Sequence, residues 1–389
     1  MAGARHAEVA GAGLGGLAAS IALAQRGWTV RVHERSAELR MFGAGIWLWE
    51  NGLRSLDALG VLKEAVQHAR PIESLKAVDQ DGKVLMHRKF GALDRLLIPP
   101  RADLYDALIA RATDLGVDIR TEAAAVDATA DGGLTTVDGE FEADLVVVAD
   151  GAFSRLRDSL LLGKRLEYLD EGYTRLLIPR RPEDPPTEII EHWSGSRRLL
   201  YDPCTDDLNY VCLCCNVDDD RGRDVPVDKE SWVESFPHLG GIIERIDEIG
   251  RWDRALRVTC RSWSRGRAVL VGDAAHAQPP NLGQGANLTF QNVLSLAEFL
   301  DRSSDVPTAL RRWEESERPL TDHIQRWTDI YGRVASAWPE RLSHRRGQVL
   351  ELASRVPWVD RQLNKAARHV PLGYAPDRTG TAATTPSHE

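Results

Sequence analysis

A glycine-rich segment near the start of the chain constrains the fold most. Gly11, Gly13 and Gly16 follow a short apolar run and introduce the predicted helix 14–26. In such a strand–turn–helix unit the first glycine permits the tight turn, the second lets the backbone approach a pyrophosphate, and the third lets the helix pack on the sheet. The helix N-terminus offers free N–H groups to the phosphates. The pattern predicts a dinucleotide-binding unit, the alternative being a purely structural glycine turn.

The residues after this turn continue the same unit. Gly27 is suited to cap the helix C-terminus, and the predicted strand 28–33 ends at Glu34. Glu34 lies 18 residues past Gly16 (34 − 16), where an acid accepts hydrogen bonds from adenosine ribose hydroxyls. Strand, helix, strand and acid therefore occur in the expected order. This motif alone does not distinguish FAD from NAD.

Two later segments repeat the pattern of an apolar strand that runs into a turn with glycine and aspartate. One turn is Asp150-Gly151 and the other is Gly272-Asp273. Continuous apolar strands of this kind predict a parallel sheet that is covered on both faces. The three motifs together therefore indicate one α/β domain assembled from distant parts of the chain.

The middle of the chain has a different character. It is rich in Pro, Arg, Trp and Tyr, and its short strand-like runs 174–178, 198–201 and 210–215 predict a mostly antiparallel sheet. Beyond about residue 300 the pattern is helical, and the Thr/Ala/Ser/Pro-rich end is expected to be disordered. We divide the chain into a nucleotide-binding domain (1–70, 96–166 and 264–300), a substrate-binding sheet domain (71–95 and 167–263), a C-terminal helical region (301–376) and a tail (377–389).

Charge, hydropathy and cysteine content exclude several classes of protein. The net charge is −9 and no basic tract is present, so a nucleic-acid or membrane surface is not expected. No apolar stretch reaches the roughly 18 residues of a membrane span, and we expect a cytoplasmic protein. The five cysteines are irregularly spaced, and no second ligand pair accompanies them as a zinc site requires. We therefore expect small buried side chains and no metal.

The ordered motifs resemble those of the single-component (class A) FAD-dependent aromatic hydroxylases, the family that includes para-hydroxybenzoate hydroxylase. Asp150-Gly151 with Ser154, Arg155 and Arg157 is similar to the family's Asp-Gly fingerprint, and residues 272–276, Pro279 and 283–287 are similar to its Gly-Asp fingerprint. The resemblance covers nearly the whole chain. It implies an α/β fold with a Rossmann-like FAD-binding domain of the GR2 type, an inserted, mostly antiparallel β-sheet domain and a C-terminal helical segment.

The resemblance also implies which residues bind FAD. They are Gly11, Gly13, Leu14, Gly15, Gly16, Glu34, Arg35, Arg40, Gly45, Arg101, Val126, Asp150, Gly151, Gly272, Asp273, Pro279, Gly283, Gly285, Ala286 and Asn287. Arg40 and Arg101 are assigned to the flavin side chain and pyrophosphate, although each could form a surface salt bridge instead. His276 belongs to the turn in this family and is not expected to be a catalytic base.

Physical reasoning agrees with a flavin. Asp273 ends a buried strand, where a carboxylate can accept hydrogen bonds from the ribityl hydroxyls. Gly283 and Gly285 let the backbone approach a flat ring. The predicted helix 286–300 begins with its positive end toward the cofactor, which favours an anionic reduced flavin.

Within the family the resemblance is greatest to the hydroxypyridinecarboxylate oxygenases, and it is carried by residues 7–11, 36–49, 198–204 and 262–266. It implies that the catalytic and substrate-binding residues are Arg198, Tyr210, Arg175 and Pro279. Arg198 would pair with a substrate carboxylate or phenolate, because a guanidinium binds a carboxylate through paired donors. Tyr210 would hydrogen-bond the ring hydroxyl.

Alternatives remain open on the substrate side. Each arginine could be an exposed strand residue, and Arg197 points away from Arg198, so a register error would exchange their roles. Trp47 and Trp49 could stack on a ring or pack in the core.

The family's activity implies that NADH or NADPH reduces FAD, that O2 then forms a flavin C4a-hydroperoxide, and that a small phenolic or hydroxypyridine-type ring is hydroxylated. Only one Gly-x-Gly-x-x-Gly segment is present, so the nicotinamide nucleotide is expected to dock without its own Rossmann domain. Alternatives are oxygenative ring opening, natural-product tailoring or halogenation on the same fold, and a nucleotide sensor without turnover. The expected partners are the aromatic substrate, O2 and NAD(P)H, with a homodimer as one expected assembly.

Overall fold

The computed structural model describes residues 4–39, 43–247, 249–336, 338 and 343–375. In chain order the strands are β1 His6–Ala10, β2 Thr29–His33, β3 Leu48–Trp49, β4 Pro71–Ile72, β5 Ser74–Asp79, β6 Val84–Lys89, β7 Leu96–Leu97, β8 Asp118–Arg120, β9 Ala125–Ala128, β10 Gly133–Thr136, β11 Gly139–Glu142, β12 Leu145–Val148, β13 Gly163–Pro179, β14 Glu188–Ser194, β15 Arg197–Pro203, β16 Leu208–Asn216, β17 Trp252–Cys260, β18 Ser264–Arg265 and β19 Ala268–Leu270. The helices are α1 Leu14–Ala24, α2 Glu50–Ala58, α3 Leu62–Ala65, α4 Arg101–Asp114, α5 Leu156–Ser159, α6 Lys229–Ser235, α7 Gly240–Ile243, α8 Asp273–His276, α9 Gly285–Asp301, α10 Val306–Ala335, α11 Ser343–Ser354 and α12 Pro357–Leu363.

The first sheet has the strand order β18-β19-β12-β1-β2-β8. Its pairs are parallel except for the edge pair β18–β19. Every residue of β12 and β19 is buried, which is what strands covered on both faces require. Helices α1, α4 and α9 contribute to the same core. The predicted α/β fold with a parallel nucleotide-binding sheet is confirmed.

The second sheet has seven strands in the order β17-β13-β16-β15-β14-β5-β6. All of its pairs are antiparallel except β14–β5. The rings of Trp232 and Phe236 stack at 6.0 Å beneath one face and belong to its core. The sheet thus takes strands from both chain segments that we assigned to the substrate domain. The domain division itself stays a prediction, and β13 already begins before the proposed boundary at residue 167.

Element boundaries differ from the sequence expectations by a few residues. The first helix ends at Ala24, with Gln25 as its cap, and Gly27 follows with φ +77°. The helix predicted over 286–300 spans Gly285–Asp301. The C-terminal region is helical as expected, whereas the predicted tail 377–389 lies outside the described residues. Within the described part of the chain, none of the helices has the length and apolar character needed to cross a membrane.

The topology decides where a ligand can bind. Strands β1, β12 and β19 are parallel neighbours or share a neighbour, so the loops after their carboxyl ends meet at one edge of the sheet. Ligands of open α/β sheets bind in the crevice outside these ends. The three sequence motifs all lie there.

Candidate active site

A cavity of about 510 Å³ lies between the nucleotide-binding edge and the seven-stranded sheet. Its walls include Gly13 and Gly15 of the glycine-rich turn, and Gly272 and Asp273 after β19. The opposite wall consists of side chains from the second sheet, among them Arg175, Arg198 and Tyr210. The structure therefore brings predicted cofactor and substrate residues to one cavity.

The three glycines of the first motif are explained by different physical constraints. Gly11 has φ +101°, and a Cβ at this position would lie 2.6 Å from the carbonyl oxygen of Ala149. A Cβ on Gly16 would lie 1.9 Å from the carbonyl oxygen of Gly11. A Cβ on Gly13, by contrast, would meet no other atom within 4 Å. Gly11 and Gly16 are thus required by the fold, and Gly13 leaves room for a ligand.

Glu34 is tied to the glycine-rich turn. Its carboxylate accepts hydrogen bonds from the backbone N–H groups of Ala12 and Ser36, each at 2.9 Å. The acid therefore positions the loop directly. Its predicted contact with the adenosine ribose stays a prediction, since carboxylate oxygens can accept further hydrogen bonds.

The second and third motifs are joined by Arg157. This buried guanidinium donates to the carbonyl oxygens of Ala152 and Ala274, each at 3.0 Å, and the Arg157 N–H donates to Ser154 Oγ at 3.0 Å. Asp150 has a buried Oδ1 that accepts no hydrogen bond from the described residues. Burial raises the pKa of Asp150, and hydrogen bonding from Ser154 opposes the rise; the unpartnered oxygen can accept one further hydrogen bond.

Charged groups face one another on the cofactor side of the cavity. Asp273 lies beside Arg101 and Arg175; burial raises the pKa of this carboxyl, and the two guanidinium groups oppose the rise. Burial lowers the pKa of Arg101, as does the charge of Arg175, while Asp273 opposes the change. Arg101 Nε is buried without a hydrogen-bond partner among the described residues. An unpaired buried donor of this kind suits an anionic ligand oxygen.

Two helix N-termini open onto the cavity without a side-chain cap. Helix α1 begins after Gly13 and α9 begins after Gln284, and neither has an acidic residue in its first turn. Gly285 and Ala286 line the cavity, and a Cβ on Gly285 would meet nothing within 4 Å. Free helix N–H groups need acceptors. The orphaned polar atoms, open glycines and uncapped helices together fit a bound FAD.

Asn287 shapes the cavity from behind. Its Oδ1 accepts a hydrogen bond from the backbone N–H of Trp49 at 3.0 Å. Its Nδ2 donates to the carbonyl oxygens of Trp47 and Gly283 at 3.0 and 2.7 Å. Gly283 has φ +61°, and a Cβ there would lie 2.8 Å from the indole of Trp47. The flat ring that Gly283 accommodates in the structure is therefore this indole.

The two tryptophans have distinct roles. Trp47 lines the cavity and donates its indole N–H to Asp202 at 2.8 Å. Trp49 also lines it, is buried, and donates to the carbonyl oxygen of Leu282 at 3.1 Å. Burial raises the pKa of Asp202 well above its usual range, although the Trp47 hydrogen bond opposes this. Both rings thus combine core packing with a place in the cavity wall.

Arg198 lines the cavity, but both terminal nitrogens of its guanidinium already donate hydrogen bonds to other side chains. Nη1 donates to Glu191 at 2.9 Å, and Nη2 donates to Glu171 at 3.0 Å and to Asn281 at 2.9 Å. Tyr331 donates its hydroxyl to Glu191. We call these five side chains the Arg198 cluster. The neighbouring Arg197 lies on the other face, as expected, and pairs with Asp219.

Tyr210 and Arg175 are adjacent on the cavity wall. Burial raises the pKa of Tyr210 well above its ordinary value, with the Cys212 thiol acting in the same direction and Arg175 against it. Arg175 forms an ion pair with Asp253 at 3.2 Å. The substrate roles assigned to both residues stay predictions.

Some predicted residues do not line the cavity. Arg35 and Val126 are exposed, and Pro279 is buried between two cavity residues, Gln278 and Pro280. Gly45 does line it, and a Cβ there would lie 2.9 Å from Tyr210. Arg40 lies outside the described residues.

Sequence reasoning missed the acids of the Arg198 cluster. Glu191 follows Ile189 and Ile190 in β14 and precedes His192 and Trp193, and all five of these residues are buried. An acid in such a run is a signal of a paired charge. Its partner could not be identified, because the sequence does not show which strands are neighbours.

The cysteines and histidine play structural parts. All five cysteines are buried and free, as expected from their spacing. In the described ranges, no group of His, Cys, Asp and Glu is arranged to hold a metal ion. His276 is buried, and burial lowers its pKa to about 4.

Comparison with known proteins gives consistent matches. A family model described as "FAD binding domain" matches residues 6–305. A putative 2-heptyl-3-hydroxy-4(1H)-quinolone synthase of Rhodococcus erythropolis is 41% identical over 342 residues, covering 86% of this chain and 90% of that protein. The 2-heptyl-3-hydroxy-4(1H)-quinolone synthase of Mycobacteroides abscessus is 38% identical over 348 residues, covering 87% and 92%. A tetrameric form of 2-methyl-3-hydroxypyridine-5-carboxylic acid oxygenase is 38% identical with a TM-score of 0.85, covering 96% of this chain and 98% of the other.

Proposed function

Because the chain belongs to the FAD binding domain family and is an FAD-dependent monooxygenase of aromatic substrates, we propose that it hydroxylates a small phenolic or hydroxypyridine-type ring with NADH or NADPH as reductant. The main observation in support is that one cavity is lined both by Gly13 and Asp273 of the nucleotide motifs and by Arg175 and Tyr210 of the second sheet. Bound FAD supplies the oxygen chemistry, and the protein supplies orientation and electrostatics.

In the overall reaction one NAD(P)H supplies two electrons as a hydride, one proton is consumed, and O2 is split between the product and water. One oxygen atom replaces a ring hydrogen by a hydroxyl, and the other leaves as H2O, while NAD(P)H becomes NAD(P)+. No ring atom is lost.

The chain's own residues contribute three effects. Arg101, and Arg175 from the opposite wall, would offer positive charge near Asp273, from which an anionic reduced ring would benefit. Tyr210 would hydrogen-bond the ring hydroxyl of the substrate. The apolar side chains of the wall, such as Leu200 and Phe90, would limit water near the reacting ring, since water would divert the reaction toward peroxide.

The experiment is a substrate screen of the FAD-loaded enzyme. NADH or NADPH oxidation would be followed with hydroxypyridines, hydroxybenzoates, quinolones and polyketide phenols, and the products analysed by mass spectrometry under 18O2. A ring product that gains one labelled oxygen supports the proposal. Nicotinamide oxidation that every ring leaves unchanged, with peroxide as the sole product, contradicts it.

Assembly is a separate proposal. We expected a homodimer, and a relative of known structure has been described in a tetrameric form. Light scattering of the purified enzyme would distinguish a monomer, a dimer and a tetramer.

A further inference from the structure

The Arg198 cluster carries a formal negative charge. One guanidinium lies between two carboxylates, Glu171 and Glu191, so the sum over these three side chains is −1 (1 − 2). Arg346 acts on Glu191 and Arg198 at longer range, but its guanidinium donates to the backbone carbonyl oxygens of Gly195 and Ala335. Arg198 has only 2% of its side chain exposed. Burial acts to raise the pKa of Glu171, but Arg198 and the hydrogen bond from Asn281 outweigh it and hold that pKa below its usual value. Both acids therefore form ion pairs with one buried cation.

A substrate carboxylate at this wall would be the third acid on the same guanidinium. Arg198 already uses both terminal nitrogens toward protein oxygens, and only Nε lacks a partner in the described structure. Bidentate recognition of a carboxylate is therefore not available without breaking a buried ion pair. Burying an uncompensated charge in such a place is costly.

The positive charge of the cavity lies elsewhere. Arg175 and Arg251 share one acid, Asp253, and Arg175 is close enough to Arg101 and Asp273 for their charges to act on one another. Arg101 and Arg175 lie next to Asp273, where FAD would bring its own anionic groups, and Arg175 already pairs with Asp253. We therefore assign the charge of these two cations chiefly to the cofactor.

The outer part of the cavity has paired charges and a large share of apolar side chains. Arg88 lines it, but Asp94 lies 3.2 Å and Asp360 3.7 Å from its guanidinium, and Arg368 pairs with the same two acids. Arg88 also lies over the ring of Phe90 at 4.9 Å. The apolar lining residues here are Leu75, Met86, Phe90, Leu200, Val359 and Leu363.

We infer that the substrate is an uncharged aromatic or heteroaromatic ring with an apolar substituent, and not an aromatic acid. The inference rests on the proposed function and names the substrate class of that site. An uncharged ring leaves the Arg198 cluster undisturbed, and the substituent would occupy the space between Leu75, Phe90 and Leu363. Specificity then arises from the penalty against an acid as much as from contacts to the ring.

The test uses matched ligands on the FAD-loaded enzyme. Dissociation constants would be measured by calorimetry and by flavin absorbance for 4(1H)-quinolones that carry a 2-methyl, 2-heptyl or 2-carboxylate group, and for 3-hydroxy-2-methylpyridine with and without a 5-carboxylate. We expect each acid to bind at least tenfold more weakly than its uncharged partner. The heptyl compound should bind at least tenfold more tightly than the methyl compound.

Charge variants test whether the charge of the Arg198 cluster causes the weaker binding of the acids. Glu191→Gln makes the cluster neutral, so it should tighten binding of the acids about tenfold and change binding of the uncharged ligands little. Glu234→Gln removes one acid of the same type from α6, where Glu234 pairs with Arg221 and does not line the cavity, and it should leave the discrimination unchanged. An effect of Glu234→Gln as large as that of Glu191→Gln would contradict the assignment.

The outcomes separate this inference from the proposed function. An aromatic acid that binds more tightly than its uncharged partner, or is the best substrate of the screen, overturns the inference and leaves hydroxylation standing. If no ring of either class binds or is hydroxylated, the proposed function fails and the inference fails with it.

Discussion

At the scale of single residues, the glycines of the first motif separate folding from cofactor binding. Gly13 faces open space, whereas a Cβ on Gly16 would lie 1.9 Å from a backbone oxygen. Gly13→Ala should therefore fold normally and raise the FAD dissociation constant at least tenfold, because its methyl group occupies ligand space. Gly16→Ala should lower the melting temperature of the apoprotein. Fluorescence titration with FAD and thermal unfolding would measure both effects.

The matched control is Gly241→Ala. A Cβ on Gly241 also meets nothing within 4 Å, but the residue lies in α7, away from the cavity. FAD affinity of this variant should equal that of the wild type. Unchanged FAD affinity in Gly13→Ala would show that the turn does not approach the cofactor.

A second prediction at this scale concerns pH. Burial lowers the pKa of His276 from 6.5 to about 4, so the unfolded chain binds a proton that the folded protein excludes. Stability is fully present above pH 6.5 and is lost as the pH falls toward 4. At pH 5 the stability lost through this histidine is about 2 kcal/mol, because each pH unit below 6.5 costs about 1.4 kcal/mol until the folded pKa is approached. Urea unfolding of the apoprotein at pH 7 and 5 would measure it.

The variant His276→Gln supplies the comparison. It removes the titrating group, so its loss of stability between pH 7 and 5 should be smaller by about 2 kcal/mol. His192, whose pKa burial also lowers to about 4, still titrates in this variant and contributes to the remaining slope, as do His323 and His369, whose pKa values burial also lowers. Equal slopes in the two proteins would show that His276 is protonated in the folded state.

At the scale of elements, helix α9 holds the loop that contains the two tryptophans. The Asn287 side chain hydrogen-bonds the backbone N–H of Trp49 and the carbonyl oxygens of Trp47 and Gly283. Asn287→Ala would leave these buried groups without partners and should cost at least about 2 kcal/mol of stability. FAD affinity should fall as well, because Trp47 would lose its fixed position against Gly283. Thermal unfolding and FAD titration measure the two effects.

Asn216→Ala serves as the control for that prediction. Asn216 ends β16 and makes a single long hydrogen bond to Ser336, at 3.4 Å. Its loss should leave FAD affinity unchanged. A weakened FAD site in Asn216→Ala would mean that general loosening, and not the Trp47–Trp49 loop, controls the cofactor site.

The elements also show which features could be predicted from sequence. Each nucleotide motif is local, since strand, turn and helix follow one another within a few residues, and the sequence assigns all three to one α/β domain. The Arg198 cluster is not local. Glu171 lies 27 residues from Arg198, and Tyr331 lies 140 residues from Glu191. Their contact depends on strand order and on the docking of α10, which periodicity does not encode.

At the scale of the whole molecule, the Arg198 cluster joins regions that are far apart in the chain. Its acids stand on β13 and β14, Asn281 follows the third motif, and Tyr331 belongs to α10. Glu171 also accepts from Ser336 at 2.7 Å. The cluster therefore connects the seven-stranded sheet to the cofactor region and the C-terminal helix.

This connection predicts how Arg198 affects stability. Arg198→Met removes the cation and leaves two buried carboxylates without compensation, which should cost about 3–5 kcal/mol. Adding Glu171→Gln and Glu191→Gln to the same protein removes the stranded charges and should restore most of that loss. Calorimetric unfolding of the three proteins measures both steps. If Arg198→Met alone were as stable as the wild type, the acids would be protonated or solvated, and the cluster could not discriminate against an anionic substrate.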